Sequence, residues 1–180
     1  MRTQIKSLIL LLNFILLSQS SVLAIESKIK FDKTTYYLSN PNSKTENYDY
    51  YTKNENIETW HTKISLSHIQ DKTNPTEATA EFAHKIQEEA KGASVLLYPD
   101  ASMTAFINFP KSKDYYDYNT VKFSNSKTSG LDKFTFTKRF YSSELEGSEN
   151  ARKSAINFAE NNTKKYMEMV NKEAPKYTIK

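Results

Sequence analysis

His61, His68 and His84 are the only histidines in this 180-residue chain, and they are the natural starting point for acid–base or metal chemistry. Zinc sites built on one helix need two histidines a turn apart, as in HExxH, and none of the three has such a neighbour. His61 and His68 are seven positions apart, an odd offset, so within one strand they point to opposite faces. His84 falls roughly 200° around a helix from Phe82, on the solvated side. All three are expected to be ordinary surface or sheet-edge histidines, with no bound metal. The carboxylates offer little more. Glu88 and Glu89 lie together on a helix flank. Asp100 and Asp117 would form an acid–base pair only if the fold brought them together, and nothing in their spacing requires it. The chain has no cysteine and no Gly-x-Ser-x-Gly, which removes thiolate and elbow-type serine nucleophiles. Ser154, in "ARKSAIN", belongs to a helix surface. Three glycines, Gly92, Gly130 and Gly147, are too few and too scattered for a phosphate-binding loop. No catalytic residue and no cofactor are expected.

Tyrosine gives the one positive signal. Tyr48, Tyr50 and Tyr51 cluster in "ENYDYYTK", and Tyr115, Tyr116 and Tyr118 in "DYYDYNTVKF". Two readings stand side by side. Tyrosine is a favoured strand residue, and cross-strand aromatic pairs cover sheet edges. Alternatively, these six form an exposed platform for a protein or glycan partner, because tyrosine supplies contact area at low entropic cost.

The first 24 residues carry an address. Arg2 and Lys6 precede the apolar run "SLILLLNFILL" (Ser7–Leu17), and Val22 and Ala24 occupy the small-residue positions before a cut between Ala24 and Ile25. The run is shorter than the ~20 residues a membrane-spanning helix requires, and Asn13 interrupts it. A cleaved secretory signal over 1–24 is predicted, followed by a single domain over 25–180 with no stable membrane span. The location is then the bacterial periplasm or the outside of the cell. Without Arg2 and Lys6 the chain keeps 23 basic against 21 acidic side chains. With no Lys/Arg block, that near-balance argues against nucleic acid as a partner.

These residues need elements to position them. "IESKIKFDKTTYYLS" suggests a first strand or pair of strands, "NPNSKTEN" (Asn40–Asn47) a polar loop, and "YDYYTK" (Tyr48–Lys53) a short aromatic strand. Asn56 is placed to cap a single helical turn, with Trp60 packing back onto the sheet. From Thr62, a period of two puts Thr62, Ile64, Leu66 and His68 on one face. "NPTE" signs a helix start, with Asn74 as N-cap, Pro75 at the first position and Glu77 at the third. That helix runs from Pro75 to Lys91, buries Ala78, Phe82, Ala83, Ile86 and Ala90, and stops at Gly92. "ASVLLYP" (Ala93–Pro99) is a continuous apolar run and predicts a central strand covered on both faces. "MTAFINFP", "YYDYNTVKF" and "DKFTFTKRFYS" follow as antiparallel strands, with a turn closing on Gly130. In the last of them Phe134, Phe136 and Phe140 face one way; Thr135, Thr137, Arg139 and Tyr141 face the other. A closing helix starts at Ser148 as N-cap, turns inward Ala151, Ala155, Phe158, Ala159, Asn162, Tyr166, Met169 and Val170, and ends at Pro175. The sequon at Asn161 lies inside this helix.

The order of these elements gives an α+β domain, an antiparallel sheet with two main helices packed on it. The aromatic strand, the turn "YTKNENIETW", the strand "HTKISLS" and the helix "NPTEATAEFAHKIQ" resemble the Mog1/PsbP-like group of small α/β sandwiches, over most of Ile25–Tyr177. A cystatin- or NTF2-like curved sheet is the alternative fold. The resemblance implies an accessory, binding or assembly protein rather than an enzyme, and it brings no functional residue with it. The expected function is an exported, non-catalytic module of the cell envelope that engages a protein partner. The alternative is a small-ligand binder or hydrolase with its site between sheet and helix.

Overall fold

The computed structural model describes residues 25–39, 47–89, 96–97, 103–177 and 179. The expected signal segment, most of the Asn40–Asn47 loop, Ala90, Gly92 and Asp100 lie outside the described residues. Among the described residues, eight strands form one antiparallel sheet in the order β1-β2-β3-β4-β8-β7-β6-β5. They are β1 (Lys28–Phe31), β2 (Thr34–Leu38), β3 (Asn47–Tyr51), β4 (Thr62–Ile69), β5 (Leu96–Leu97), β6 (Met103–Asn108), β7 (Tyr115–Asn125) and β8 (Leu131–Tyr141). The sheet is therefore two four-strand meanders joined along β4 and β8. Helix α1 (Pro75–Glu89) lies in the connection between the meanders, and α2 (Ser148–Glu173) follows the second one and ends in a single 3-10 turn, Ala174–Lys176.

Strand alternation decides which helix takes which face. Register pairs Ile64 with Phe136, Leu66 with Phe134 and Ile107 with Tyr118 on one face. Those residues, with Ile29, Phe31, Tyr36 and Tyr50, share a core with Ala151, Ala155, Tyr166, Met167 and Val170 of α2. The Phe136 and Tyr166 rings stack there at 4.7 Å, and Phe31 lies 5.0 Å from Phe136. Each such ring taken fully out of water contributes about 1.5–3 kcal/mol, so this face holds most of the fold's apolar burial. On the opposite face Phe106, Val121, Phe123 and Leu131 pack on Ala78, Phe82 and Ile86 of α1. The shorter helix covers β6 and β7. Among the described residues, no helix lies over β2, β3 and β4 on that side.

Local chemistry explains the turns. Asp32 and Lys33 both adopt left-handed conformations (φ 45° and 64°), the two-residue hairpin geometry that matches strand twist. Asp32 Oδ2 accepts a hydrogen bond from the Tyr166 hydroxyl at 2.7 Å, which ties the hairpin to α2. Gly130 has φ +76°, and a Cβ there would stand 2.3 Å from the Ile69 carbonyl oxygen. Asn74 Oδ1 accepts the backbone N–H of Thr76 at 3.1 Å and of Glu77 at 3.3 Å, as the N-cap expectation requires. At the sheet's outer margin, the Tyr177 hydroxyl lies 3.1 Å from both the backbone nitrogen and the carbonyl oxygen of Lys30 in β1.

Two expectations are corrected. The apolar run around Leu96 is an edge strand of two described residues, not a central one, and Leu97 is 51% exposed. Apolar continuity cannot separate two-sided burial from edge position. Ser148 is the first residue of α2 rather than its cap. Gly147, at φ 116°, holds the cap position without a side-chain hydrogen bond, and the Ser148 hydroxyl is instead 2.8 Å from the Tyr116 hydroxyl.

Candidate functional site

The six tyrosines do not form an exposed platform. Tyr50, Tyr51, Tyr116 and Tyr118 are buried, and Tyr48 and Tyr115 are half-buried. Tyr48, Tyr50, Tyr116 and Tyr118 turn toward α2, and Tyr51 and Tyr115 toward the other face, as their registers with β4 and β8 dictate. Their hydroxyls are used internally: Tyr50 donates to the Glu26 carbonyl at 2.8 Å, and Tyr118 accepts from Thr120 Oγ1 at 2.8 Å. Burial raises the pKa of both phenols, and it pushes Tyr51 up to about 12, with Asp49 adding to the shift. The physical reason is that both faces of β7 are covered and β3 lies inside the first meander. A one-strand pattern cannot report that.

What the uncovered part of the α1 face does present is a stack built around Arg139. Its guanidinium carbon lies 3.9 Å from the Trp60 ring centroid and 3.6 Å from that of Tyr115. Arg139 and Asp117 are directly opposed across β7 and β8, and the pair is bidentate, Nε to Oδ1 and Nη2 to Oδ2, both 2.8 Å. Burial alone would lower the arginine's pKa, but Asp117 outweighs it and the net shift is upward. The network continues inward: the Asn119 side-chain amide donates to the Asp117 carbonyl at 3.0 Å, and Thr137 Oγ1 donates to Asn119 Oδ1 at 2.9 Å. Lys63 Nζ lies 4.9 Å from the Trp60 ring centroid, and the Tyr51 ring lies 6.5 Å from it. The fork of Arg139 is thus already occupied by a carboxylate; it holds aromatic faces in place rather than waiting for a phosphate.

The residues around Trp60 form a fastened turn. Asn56 Oδ1 accepts the Glu58 N–H at 2.8 Å, a side-chain turn that replaces the expected helical one. The Tyr141 hydroxyl donates to the carbonyls of Glu58 (3.3 Å) and Trp60 (3.1 Å). The backbone N–H of Arg139 donates to the His61 carbonyl at 2.8 Å. Trp60 itself is buried, as the sequence pattern predicts, whereas Ile57 at the turn's tip is 71% exposed. His61 Nδ1 lies 2.8 Å from Glu55 Oε1, and Nε2 lies 3.0 Å from Glu144.

The other chemical candidates are dispersed. His68 Nδ1 is 2.9 Å from Asp132 Oδ1 on the α2 face, and the exposed His84 is 3.5 Å from Glu88 on α1. Glu89 pairs with Lys85. Asp117 is held by Arg139, and its suggested partner Asp100 is outside the described residues. Among the described residues, no group of three or more His, Asp or Glu side chains is arranged to hold a metal ion, and no helix is long and apolar enough to cross a membrane. Glu55 and Glu144 are the members of this site that sequence reasoning did not name; Arg139 was placed only on a polar strand face, and Asp117 only as a possible partner of Asp100.

A protein-family model matches residues 23–174, which takes in every element from β1 to α2. No curated protein and no solved structure matches the chain.

Proposed function

The chain belongs to this family, and we propose that it is an exported, non-catalytic accessory protein of the bacterial cell envelope that engages a protein partner. We place its fold with the Mog1/PsbP-like α/β sandwiches, on the order of elements and the tryptophan-bearing turn between β3 and β4. The observation that carries the functional reading is the Trp60 turn: it is braced from beneath by Arg139, Tyr115 and Tyr141, yet it holds Ile57 out in water. A rigid support under one exposed apolar side chain is the arrangement that binding hot spots use, because little order remains to be lost on contact.

The ligand-binding or hydrolytic alternative needs room between sheet and helix. On the α2 side that space is occupied by the rings of Phe31, Tyr118, Phe136, Phe158 and Tyr166 in mutual contact, which weighs against it. The test is site-specific photo-crosslinking in intact cells, with the reactive group at Ile57 or, as a control, at the exposed Glu88 of α1. A discrete adduct from Ile57 alone supports the proposal, and identical patterns from both positions overturn it. N-terminal sequencing of the mature protein checks export: it should begin at Ile25.

A further inference from the structure

We infer that His61 is a proton-operated clasp that joins the Trp60 turn to the turn leading into α2. The argument rests on both ring nitrogens facing carboxylates: Nδ1 is 2.8 Å from Glu55 Oε1, and Nε2 is 3.0 Å from each oxygen of Glu144. An ionised carboxylate only accepts, and a neutral imidazole carries one N–H. Only the imidazolium can donate to both partners, so the arrangement requires the proton.

The surroundings say which half lets go. Glu55 Oε1 also accepts the backbone N–H of His61 at 2.9 Å, and its side chain is 16% exposed against 52% for Glu144. When the proton leaves, Nδ1–H stays on Glu55, while Nε2 turns a lone pair toward Glu144, which is free to swing into water. The remaining groups around His61 offer no substitute. The Tyr141 ring meets it edge-on at 5.4 Å, the Arg139 guanidinium is spent on Asp117, Lys63 lies over Trp60, and Glu58 contributes only its carbonyl, to Tyr141. Among the described residues, neither Glu55 nor Glu144 forms another ion pair. Burial works to lower the His61 pKa, but the hydrogen bonds and charges of Glu55 and Glu144 more than reverse it, leaving it raised. The clasp is therefore closed below the ordinary histidine pKa of about 6.5 and opens as pH rises through the higher folded-state value. Its effect on a partner, through the presentation of Ile57, rests on the reading of the preceding section; the clasp itself does not.

The chain's single tryptophan sits on the turn in question and serves as the reporter. The experiment follows Trp60 emission and the His61 ring by NMR across pH in the full mature chain. The expected result is a His61 midpoint above the ordinary histidine value of about 6.5, a Trp60 transition that tracks it, and a neutral form protonated at Nδ1. Glu144→Gln should lower the midpoint by roughly half a unit or more while leaving the fold intact. A His61 midpoint at or below the ordinary histidine value of about 6.5, one indifferent to Glu144→Gln, or a neutral ring protonated at Nε2 overturns the inference. Failure of crosslinking from Ile57 alongside a Trp60 transition that follows His61 would remove the binding surface and leave the clasp standing.

Discussion

Arg139 and Trp60 are in van der Waals contact, the guanidinium carbon 3.9 Å from the indole centroid, although one belongs to the first meander and the other to the second, where β4 and β8 join them. The contact converts a hairpin-register pair, Asp117 with Arg139, into the floor beneath a loop. Arg139→Lys keeps the charge but loses the fork and the flat stacking surface. Because Asp117 is left largely buried with a poorer partner, we expect a loss of about 3 kcal/mol, read as a lowered urea midpoint by Trp60 emission. An unchanged midpoint would mean that the stack contributes nothing to the fold.

The tyrosines of β3 and β7 should behave as core residues. Tyr50→Ala and Tyr118→Ala each remove a fully buried ring, and each is expected to cost about 3–5 kcal/mol. Partner loss in such variants would therefore report unfolding, and circular dichroism should show it. Tyr115→Phe, which keeps the ring against Arg139, should stay within about 0.5 kcal/mol of the native protein.

Gly130 and Gly147 separate conformational strain from steric clash. Both have positive φ, but a Cβ at Gly130 meets the Ile69 carbonyl at 2.3 Å, whereas one at Gly147 meets nothing within 4 Å. Gly147→Ala is expected to cost about 1–3 kcal/mol, the strain of its extended positive-φ backbone alone, and Gly130→Ala more than that, since the left-handed strain adds to a clash that makes β4 shift. Thermal midpoints of the two variants give the comparison directly; equal losses would refute it.

Alkaline pH should undo the fold through its phenols. Burial raises Tyr36, Tyr50, Tyr118 and Tyr166, and Tyr51 to about 12. Groups whose folded pKa lies above the unfolded value of about 10 add stability that is complete below that value and is lost as pH rises through the folded one. Ultraviolet titration should show these five phenols ionising only together with unfolding, above the ordinary value of about 10. Complete ionisation of all twelve in one reversible step near 10, with the fold retained, would contradict the burial pattern.

Short-range chemistry made much of this legible in the sequence. "NPTE" announces α1, strict alternation separates the Phe134 and Thr135 faces, and the bend before Thr62 marks Trp60 as an anchor. Pairing across strands is harder to see. Arg139 looks like a solvated residue on a polar face until the Gly130 hairpin register is applied, which sets it opposite Asp117; that was the available signal. Glu55 and Glu144 had none, because two turns far apart in sequence meet at His61. The edge position of Leu97 and the displaced cap at Ser148 likewise depend on neighbours that no local pattern describes.

The Tyr177 hydroxyl that engages Lys30 on the margin of β1 has a consequence for how copies of the chain behave toward one another. An open strand margin is a template on which a second molecule can add its own strand, and repeated addition makes a fibre. Here one phenol answers both the N–H and the carbonyl that such an incoming strand would seek, and it does so from the final residues of the chain. Tyr177→Phe would keep the ring packed on Phe134 and the core around it, yet lose this guard against polymerisation.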